Sequence, residues 1–465
     1  MFREPLFWLA LLLALGRFWR LGDWSLWEDE VFTLSDARTM LENGAGPGPK
    51  NPLGYLLFAA LVHGLGPVPG EFGLRFVPAL LGVLGIAACG LCLRPAIGAR
   101  RAAATALIVA ASSWHVYWSQ NARFYTLAQD FALIGGAFAL RALLRPNGER
   151  FRMSALCALA ALLLASLAQP ASALLLPAWL AVAVLLPMLT LRPTPPRLPV
   201  TRAMVIAAGL LGLAIAAWVG PIWLDYYRTK HDPTALHLLK TSGWYFTPAL
   251  LLAASFGAWR GWRARSAPDV LLALVCLFTA GLLFANAFFL RAAAQYLFVL
   301  LPFVAALATW PLTEPRLSKT WKWSWLAALL IPALVDQGLY FSKRNGDRPP
   351  WKEAFAEVFE RKGPGDVVFT NNANVGEYYF APHSPNLRHP THVHNLDRYS
   401  YSAEQHWARQ PRRAWFVINH ERLNEWPTKA RLDFEAMLAS NARLMASFEL
   451  DHGVRNLDVL VYLRE

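Results

Sequence analysis

Apolar runs long enough to cross a lipid bilayer recur along most of this 465-residue chain. A helix of about 20 residues spans the roughly 30 Å of hydrocarbon in a membrane. Hydrophobic residues make up 55% of the chain and charged residues only 16%, against about 25% charged residues in soluble domains. These features exclude a soluble enzyme. They predict eleven transmembrane helices, at residues 5–22, 76–93, 102–118, 124–141, 153–168, 171–191, 203–222, 246–259, 268–288, 292–311 and 323–341.

The charge of the chain is divided unevenly. Residues 1–345 carry 29 lysines and arginines against 15 aspartates and glutamates, whereas residues 346–465 carry 15 against 16. The basic excess thus lies between apolar runs, and not on a polar surface of the kind that binds nucleic acid. We expect membrane lipids as partners and no nucleic acid.

Lysines and arginines gather in alternate loops, which by the positive-inside rule face the cytoplasm. The first apolar run follows Arg3 without a small-residue cleavage pattern, so we interpret it as an uncleaved anchor. Eleven spans then place the C-terminus outside, provided that the short apolar stretch 53–66 forms a helix on the outer interface. The cytoplasmic residues are Arg94, Arg100, Arg101, Arg141, Arg145, Arg150, Arg152, Arg192, Arg197, Arg202, Arg260, Arg263, Arg265, Arg316, Lys319 and Lys322.

Residues 346–465 alternate between helix-like and strand-like patterns, which predicts a small extracytoplasmic α/β domain. Residues 1–345, including the first outer loop 23–75, form the membrane domain in this interpretation. The predicted fold class is a polytopic α-helical membrane protein with a C-terminal α/β domain. Within that domain we predict helices at 351–362 and 427–440, and strands at 366–370, 414–419, 444–450 and 457–463.

Three consecutive carboxylates, Glu28, Asp29 and Glu30, follow Trp27 just outside the first span. A carboxylate here can remove the proton of a hydroxyl group if it reaches that proton at about 2.6–3.2 Å. The alternative is a solvated acidic turn whose tryptophans anchor it at the membrane interface.

Five basic residues lie in the predicted outer segments. Arg123 calls for an anionic partner, either Asp29 or a phosphate group. The alternatives are a structural arginine–carboxylate pair at Arg123, and snorkelling or solvated side chains elsewhere. As a group, five residues are candidates to surround a phosphate: Lys50, Arg123, Arg228, Lys230 and Arg291.

Metal-ligating patterns are weak in this sequence. All four cysteines lie in apolar runs, which offers no disulfide framework and no cysteine-based zinc site. His389, His392 and His394 have a spacing seen at metal sites, but they lie in a proline-rich loop without a nearby cysteine. We therefore predict no metal site there.

The order of these motifs resembles the integral-membrane GT-C glycosyltransferases, in particular bacterial relatives of the protein O-mannosyltransferases and of the transferase that adds aminoarabinose to lipid A. Like that family, the first outer loop has an aromatic residue followed by an Asp-Glu pair. Asn121 stands where the family commonly has a carboxylate. The likeness covers nearly the whole chain and lies in Trp27-Glu28-Asp29-Glu30, Lys50-Asn51-Pro52-Leu53-Gly54-Tyr55, Arg75-Phe76-Val77-Pro78-Ala79-Leu80-Leu81-Gly82, Ser119-Gln120-Asn121-Ala122-Arg123-Phe124-Tyr125, Trp351-Lys352-Glu353-Ala354 and Pro364-Gly365-Asp366-Val367-Val368.

The resemblance implies a reaction and a role for each residue. A hexosyl or pentosyl group passes from a polyprenyl-phosphate donor to an acceptor hydroxyl, with inversion, at the periplasmic face of a bacterial cytoplasmic membrane. Asp29 accepts the hydroxyl proton, Glu30 orients Asp29 or the acceptor, and the five outer cations hold the phosphate. Substrate contacts are implied for Trp27, Tyr55, Gln120, Tyr125, Gln295 and Tyr296.

Several alternatives stay open at this point. The acceptor is a glycolipid, a polysaccharide or a protein, and the resemblance fixes no cofactor and leaves a divalent-cation requirement open. A second membrane enzyme class, similar to O-antigen ligases, uses a diphosphate-linked donor. A non-catalytic transporter of lipid-linked sugars predicts charges within the spans and an internal repeat. A further alternative is that the C-terminal domain is a binding module and that the membrane helices only anchor it.

Overall fold

The computed structural model describes residues 1, 3–44, 51–66, 69–145, 148–192, 202–229, 234–380, 393–396, 413–450 and 455–465. The chain forms two compact units. The helical unit consists of Met1–Trp19, Gly44–Leu57 and Phe76–Gln337. The mixed unit consists of Arg20–Asn43, Phe58–Arg75 and Gly338–Glu465. Most of the first outer loop thus belongs to the same compact unit as the C-terminal residues. The sequence analysis instead assigned this loop to the membrane domain, and that division of the chain into functional domains stays a prediction.

Helices dominate the described part of the chain. They are α1 Pro5–Ala14, α2 Glu28–Asn43, α3 Pro52–Leu65, α4 Glu71–Ile97, α5 Ala99–Ala111, α6 Ser113–Ser119, α7 Tyr125–Leu144, α8 Gly148–Ala168, α9 Leu175–Leu185, α10 Arg202–Thr229, α11 Ala235–Phe246, α12 Pro248–Arg263, α13 Ala267–Asn286, α14 Leu301–Ala308, α15 Lys319–Ser342, α16 Trp351–Arg361, α17 Ala373–Phe380, α18 His420–Asn424 and α19 Thr428–Asn441. Short 3₁₀ segments adjoin several of them, among them Leu15–Phe18 and Ala294–Leu300.

Seven helical segments of the described residues are long and apolar enough to cross a membrane, which confirms a multi-pass membrane protein. Shorter apolar helices occur at Pro5–Phe18, Pro52–Leu65 and Gly212–Asp225. Each of the eleven predicted spans overlaps helical segments; how many of them cross the membrane stays a prediction. The seven segments are Glu71–Ile97, Tyr125–Leu144, Arg150–Ala168, Pro170–Met188, Ala267–Asn286, Ala294–Thr313 and Lys319–Ser342.

The predicted span 102–118 is not one continuous helix. α5 ends at Ala111, where Ser112 takes an extended conformation, and α6 begins one residue later. The hydroxyl of Ser112 accepts a hydrogen bond from the backbone N–H of His115, at 3.4 Å. Serine in this position caps a new helix, because its oxygen satisfies an N–H that has no partner within the helix. The break precedes the motif at residues 119–125.

The C-terminal residues form a mixed five-stranded sheet of β1 Val367–Thr370, β2 Val393–Asn395, β3 Ala414–Asn419, β4 Arg443–Phe448 and β5 Val459–Arg464, in the order β2-β1-β3-β5-β4. β1 pairs in parallel with β2 and β3, while β5 pairs antiparallel with β3 and β4. β3 is buried on both faces, and one face packs Phe416 and Ile418 against Phe434 of α19. All six predicted elements of this domain are confirmed.

Three short elements of the domain were not predicted from the sequence. β2 has only three residues, two of them exposed, so it carries no hydrophobic alternation. α17 contains Gly376, which weakens a helix by about 1 kcal/mol relative to alanine. A Cβ atom at Gly376 would lie 2.9 Å from Val393 and 3.0 Å from Phe355. Close packing therefore requires the glycine and stabilises α17. The helix α18 was not predicted because five residues are too few to show a helical periodicity.

Candidate active site

The predicted acidic motif forms the first turn of α2, within the mixed unit. Glu28, Asp29 and Glu30 occupy that turn. The backbone N–H of Trp27 donates a hydrogen bond of 2.9 Å to Glu30 Oε2, as in one half of a capping box. Carboxylates are favourable at this end of a helix because the backbone dipoles leave it partly positive. The motif is therefore a fixed helix start and not a loose turn.

Glu30 lies in a buried cluster of ion pairs. Arg75 donates to both carboxylate oxygens, from Nε to Oε1 at 2.8 Å and from Nη2 to Oε2 at 2.7 Å. Arg348 donates from Nε to Oε2 at 3.4 Å. All three side chains are fully buried. Arg75 also donates to the backbone oxygens of Trp24 and Ser25, each at 2.8 Å, so that it holds the loop before α2 in place.

These charges decide the ionisation of Glu30. Burial by itself raises the pKa of the Glu30 carboxyl, but the charges of Arg75 and Arg348 and the hydrogen bonds from Arg75 and Trp27 outweigh it and lower that pKa from its ordinary 4.5 to about 2. The carboxylate is thus a poor proton acceptor. A structural, orienting role suits Glu30 better than the role of a general base.

The depressed pKa of Glu30 predicts an acid-sensitive contribution to stability. A carboxyl whose pKa falls from 4.5 to about 2 on folding contributes about 3 kcal/mol above pH 4.5, and this contribution is lost as the pH falls from 4.5 towards 2. Thermal unfolding of the wild type and of Glu30→Gln at pH 6, 4 and 3 measures it. The wild type should be the more stable protein at pH 6, and the gap should narrow at pH 3. A gap independent of pH would contradict the assignment.

Asp29 differs from its neighbour in its surroundings. Its side chain is half-buried, whereas that of Glu30 is fully buried. The hydroxyl of Thr33 donates to the backbone oxygen of Asp29 at 2.9 Å, which stabilises the first turn of α2. Asp29 is therefore the carboxylate of this pair that a substrate can reach.

The segment around Trp27 is held by the C-terminal part of the mixed unit. Arg422 forms an ion pair with Glu28, and the guanidinium of Arg455 lies 5.7 Å from the centre of the Trp27 ring. The backbone N–H of Leu26 donates to the hydroxyl of Tyr379 at 2.7 Å. The folded C-terminal elements thus fix the acidic motif.

The sequence analysis did not assign Arg75, Arg348 or Ser25 to this site. Arg75 was noted only as part of a family motif. It is, however, an arginine in a predicted outer segment, and the argument that Arg123 requires an anionic partner applies to it equally. Arg348 lies 318 positions from Glu30, and no sequence pattern links residues so far apart.

In the helical unit, the turn at residues 119–125 is closely packed. Gln120 is fully buried, and its amide donates to the backbone oxygens of Arg17 at 3.0 Å and Trp19 at 2.7 Å. The ring of Tyr125 lies 4.0 Å from that of Trp118. Gln120 thus caps the C-terminal end of the first helical segment. This structural role was not part of the sequence prediction, which assigned Gln120 a substrate contact.

Arg123 and Tyr55 both lie beside Phe124. The Arg123 guanidinium is 4.7 Å from the Phe124 ring centre, and the ring of Tyr55 meets that of Phe124 edge-on at 5.5 Å. A Cβ atom at Gly54 would lie 2.5 Å from the same ring. The glycine of the Pro-Leu-Gly-Tyr motif is therefore needed for α3 to pack on Phe124, which brings Tyr55 and Arg123 to one aromatic residue.

Two of the other predicted phosphate-binding residues have exposed side chains. Arg228 is exposed in the last turn of α10, and Arg291 is exposed in the segment before Gln295 and Tyr296, which are half-buried. Thr234 anchors that segment, since its hydroxyl donates to the backbone oxygen of Ala292 at 3.0 Å. Lys50 and Lys230 lie outside the described residues.

Asn121 is fully buried, and neither its side-chain oxygen nor its nitrogen has a hydrogen-bond partner among the described residues. Buried polar groups are nearly always paired in folded proteins.

The described residues contain no group of three or more histidine, cysteine, aspartate or glutamate side chains suited to a metal ion. His394 is exposed on β2, beside the ring of Phe369. His389 and His392 lie outside the described residues.

No protein-family model matches the chain, and no curated protein matches its sequence. Solved structures do match it. ArnT from Cupriavidus metallidurans in the apo state is 15% identical, with a TM-score of 0.54 over 98% of this chain and 97% of that one. The same values hold for ArnT bound to undecaprenyl phosphate.

The oligosaccharyltransferase of Archaeoglobus fulgidus is also similar. Its apo form is 13% identical, with a TM-score of 0.58 over 90% of this chain and 69% of that one. AglB from the same organism, in complex with an inhibitory peptide and a dolichol-phosphate, is 12% identical, with a TM-score of 0.53 over 94% and 72%. At these identities the likeness shows the fold. The chain has the GT-C fold, as its motifs predicted.

Proposed function

We propose that this protein is a membrane glycosyltransferase. It transfers a hexosyl or pentosyl group from a polyprenyl-phosphate donor to a hydroxyl of an acceptor, at the outer face of the cytoplasmic membrane. The observation that carries the proposal is the shared fold with ArnT over 98% of the chain. The related structures were solved with undecaprenyl phosphate and with a dolichol-phosphate, which supports a donor that carries a single phosphate.

In the proposed reaction, Asp29 acts as the general base. The acceptor oxygen attacks the anomeric carbon while its proton passes to Asp29, and the bond from that carbon to the phosphate oxygen breaks. Positive charge develops on the sugar ring and negative charge on the leaving phosphate. A single displacement inverts the anomeric centre. Glu30, held between Arg75 and Arg348, positions the turn that carries Asp29.

The outer cations have the role of holding the donor phosphate. Cations strengthen their interaction as the phosphate gains charge, so they lower the barrier of the chemical step. Arg123 is the strongest candidate, since it lies beside Phe124 together with Tyr55 of the Pro-Leu-Gly-Tyr motif. Arg228 and Arg291, with Lys50 and Lys230, are secondary candidates.

Replacing Arg123 by glutamine is expected to weaken binding of undecaprenyl phosphate about 10- to 100-fold, because one charge-assisted hydrogen bond contributes about 1.5–3 kcal/mol. Native mass spectrometry of the purified full-length protein measures the bound fraction. The matched control is Arg263→Gln, which removes the same charge from an exposed position in a predicted cytoplasmic loop. Equal binding by both variants would remove Arg123 from the donor site.

The donor class distinguishes the proposal from a ligase-like enzyme. Purified protein is supplied with an undecaprenyl-phosphate sugar or with the corresponding diphosphate-linked sugar, together with a membrane extract as the source of acceptor. Release of undecaprenyl phosphate from the first donor alone supports the proposal. Turnover only of the diphosphate donor would contradict it and favour the ligase-like alternative.

A further inference from the structure

A cavity of about 410 Å³ lies wholly within the mixed unit. Helices α16 and α17 and the start of α4 line it. Its volume is in the range of about 300–1,000 Å³ that is typical of small-molecule sites. None of its lining residues has a part in the reaction proposed above.

The walls of this cavity are largely aromatic. Phe355, Phe359, Tyr378 and Phe380 line it. Phe355 and Phe380 meet edge-on at 5.6 Å and hold each other in place, and Phe359 meets Phe380 at 6.2 Å while remaining 40% exposed. An exposed aromatic face on a rigid support provides apolar contact at little entropic cost. The C–H face of a sugar ring fits such a surface.

The charged groups of the cavity are two carboxylates and one ammonium. Glu71 and Glu360 line it together with Lys352, and carboxylates accept hydrogen bonds from several hydroxyls at once. The Lys352 ammonium lies 3.4 Å from Glu71 Oε1, so this charge is already balanced. Two carboxylates and one paired ammonium disfavour a phosphate group. They suit a neutral, hydroxyl-rich ligand.

One wall residue of the cavity is hydrogen-bonded to the segment that precedes the proposed base Asp29. Tyr379, which also lines the cavity, donates to Glu71 Oε1 at 3.4 Å and accepts from the backbone N–H of Leu26 at 2.7 Å. Leu26 precedes Asp29 by three residues, and α17 packs on α2. The cavity and Asp29 therefore belong to one compact unit, and Tyr379 links the cavity wall to the segment that precedes Asp29.

We propose that this cavity binds a neutral sugar residue of the acceptor. The inference rests on the proposed function and narrows it, because it makes the acceptor a glycan or glycolipid that already carries a sugar. Phe359 provides the stacking surface, and Glu71 and Glu360 accept from the hydroxyls of the ring.

Saturation-transfer NMR on the full-length protein in detergent tests the inference. The probes are methyl α-D-mannopyranoside, methyl β-D-glucopyranoside and methyl β-D-galactopyranoside, with glucose 6-phosphate as the anionic counterpart. We expect saturation transfer to at least one methyl glycoside and none to the phosphate. Phe359→Ala should reduce the signal about fivefold, since it removes one aromatic contact, whereas Phe359→Trp should retain it.

The matched control is Phe32→Ala. Phe32 belongs to the same unit and is also 40% exposed, but it does not line the cavity. Its variant should bind like the wild type. Absence of saturation transfer to all three glycosides, or an unchanged signal in Phe359→Ala, would overturn the inference.

Asp29→Asn separates this inference from the proposed function. That variant should still bind the methyl glycoside although it no longer transfers a sugar. Transfer that persists without glycoside binding would overturn the cavity assignment alone. Glycoside binding by a protein that transfers no sugar would count against the transferase function and, with it, against an acceptor role for the cavity.

Discussion

Replacing Asp29 by asparagine is expected to reduce sugar transfer by a factor of about 10²–10⁴, the usual contribution of a general base. The amide has nearly the shape of the carboxylate but cannot accept the proton of the attacking hydroxyl. Asp29 is half-buried in the first turn of α2, so the exchange should leave the fold intact. Release of undecaprenyl phosphate from the sugar donor measures the effect.

Asp36→Asn is the matched control for this prediction. Asp36 lies on the same helix, about two turns further on, and is exposed. The control should transfer sugar at the wild-type rate, and both variants should unfold at the wild-type temperature. If Asp29→Asn turns over as fast as Asp36→Asn, Asp29 has no part in the chemistry.

Replacing Arg75 by methionine is expected to destabilise the mixed unit by about 3–5 kcal/mol, because the change removes one partner of a fully buried ion pair. Arg75 makes two hydrogen bonds to Glu30 and two of 2.8 Å to the loop before α2. Arg348 alone then remains to balance the buried carboxylate. Chemical denaturation in detergent, followed by tryptophan fluorescence, measures the loss.

Lys352→Met provides the comparison for Arg75→Met. Lys352 also forms an ion pair, with Glu71 at 3.4 Å, but its side chain is 45% exposed, and exposed pairs contribute about 0–1 kcal/mol. Combining Arg75→Met with Glu30→Gln should recover part of the stability, because no unpaired charge is then buried. Equal, small losses for Arg75→Met and Lys352→Met would show that the buried cluster is not structural.

The sequence predicted those parts of the fold that depend on long, regular patterns. Apolar runs identified the membrane helices, and strands such as Ala414–Asn419 and Val459–Arg464 were evident from their β-branched and aromatic residues. The shorter elements were not predicted, because tertiary packing rather than local sequence determines whether they form. In α17, Gly376 packs against Phe355. A pattern of neighbouring residues in the sequence carries no information about that contact.

The candidate site was predictable only in part, for a similar reason. The position of Asp29 and Glu30 followed from their motif, but their different surroundings did not. Glu30 is distinguished by Arg75 and Arg348, which lie 45 and 318 positions away in the chain. Two adjacent carboxylates therefore look equivalent in the sequence, while the fold buries one among arginines and leaves the other accessible.

The most direct test of the proposed transferase function is mass spectrometry of envelope glycolipids and glycans in a deletion strain of the source organism. The strain is complemented with the wild type or with Asp29→Asn. We predict that deletion removes one sugar mass from one class of glycan, and that the wild type restores it while Asp29→Asn does not. An unchanged glycan profile in the deletion strain would contradict the proposed function and favour a transporter or a binding protein.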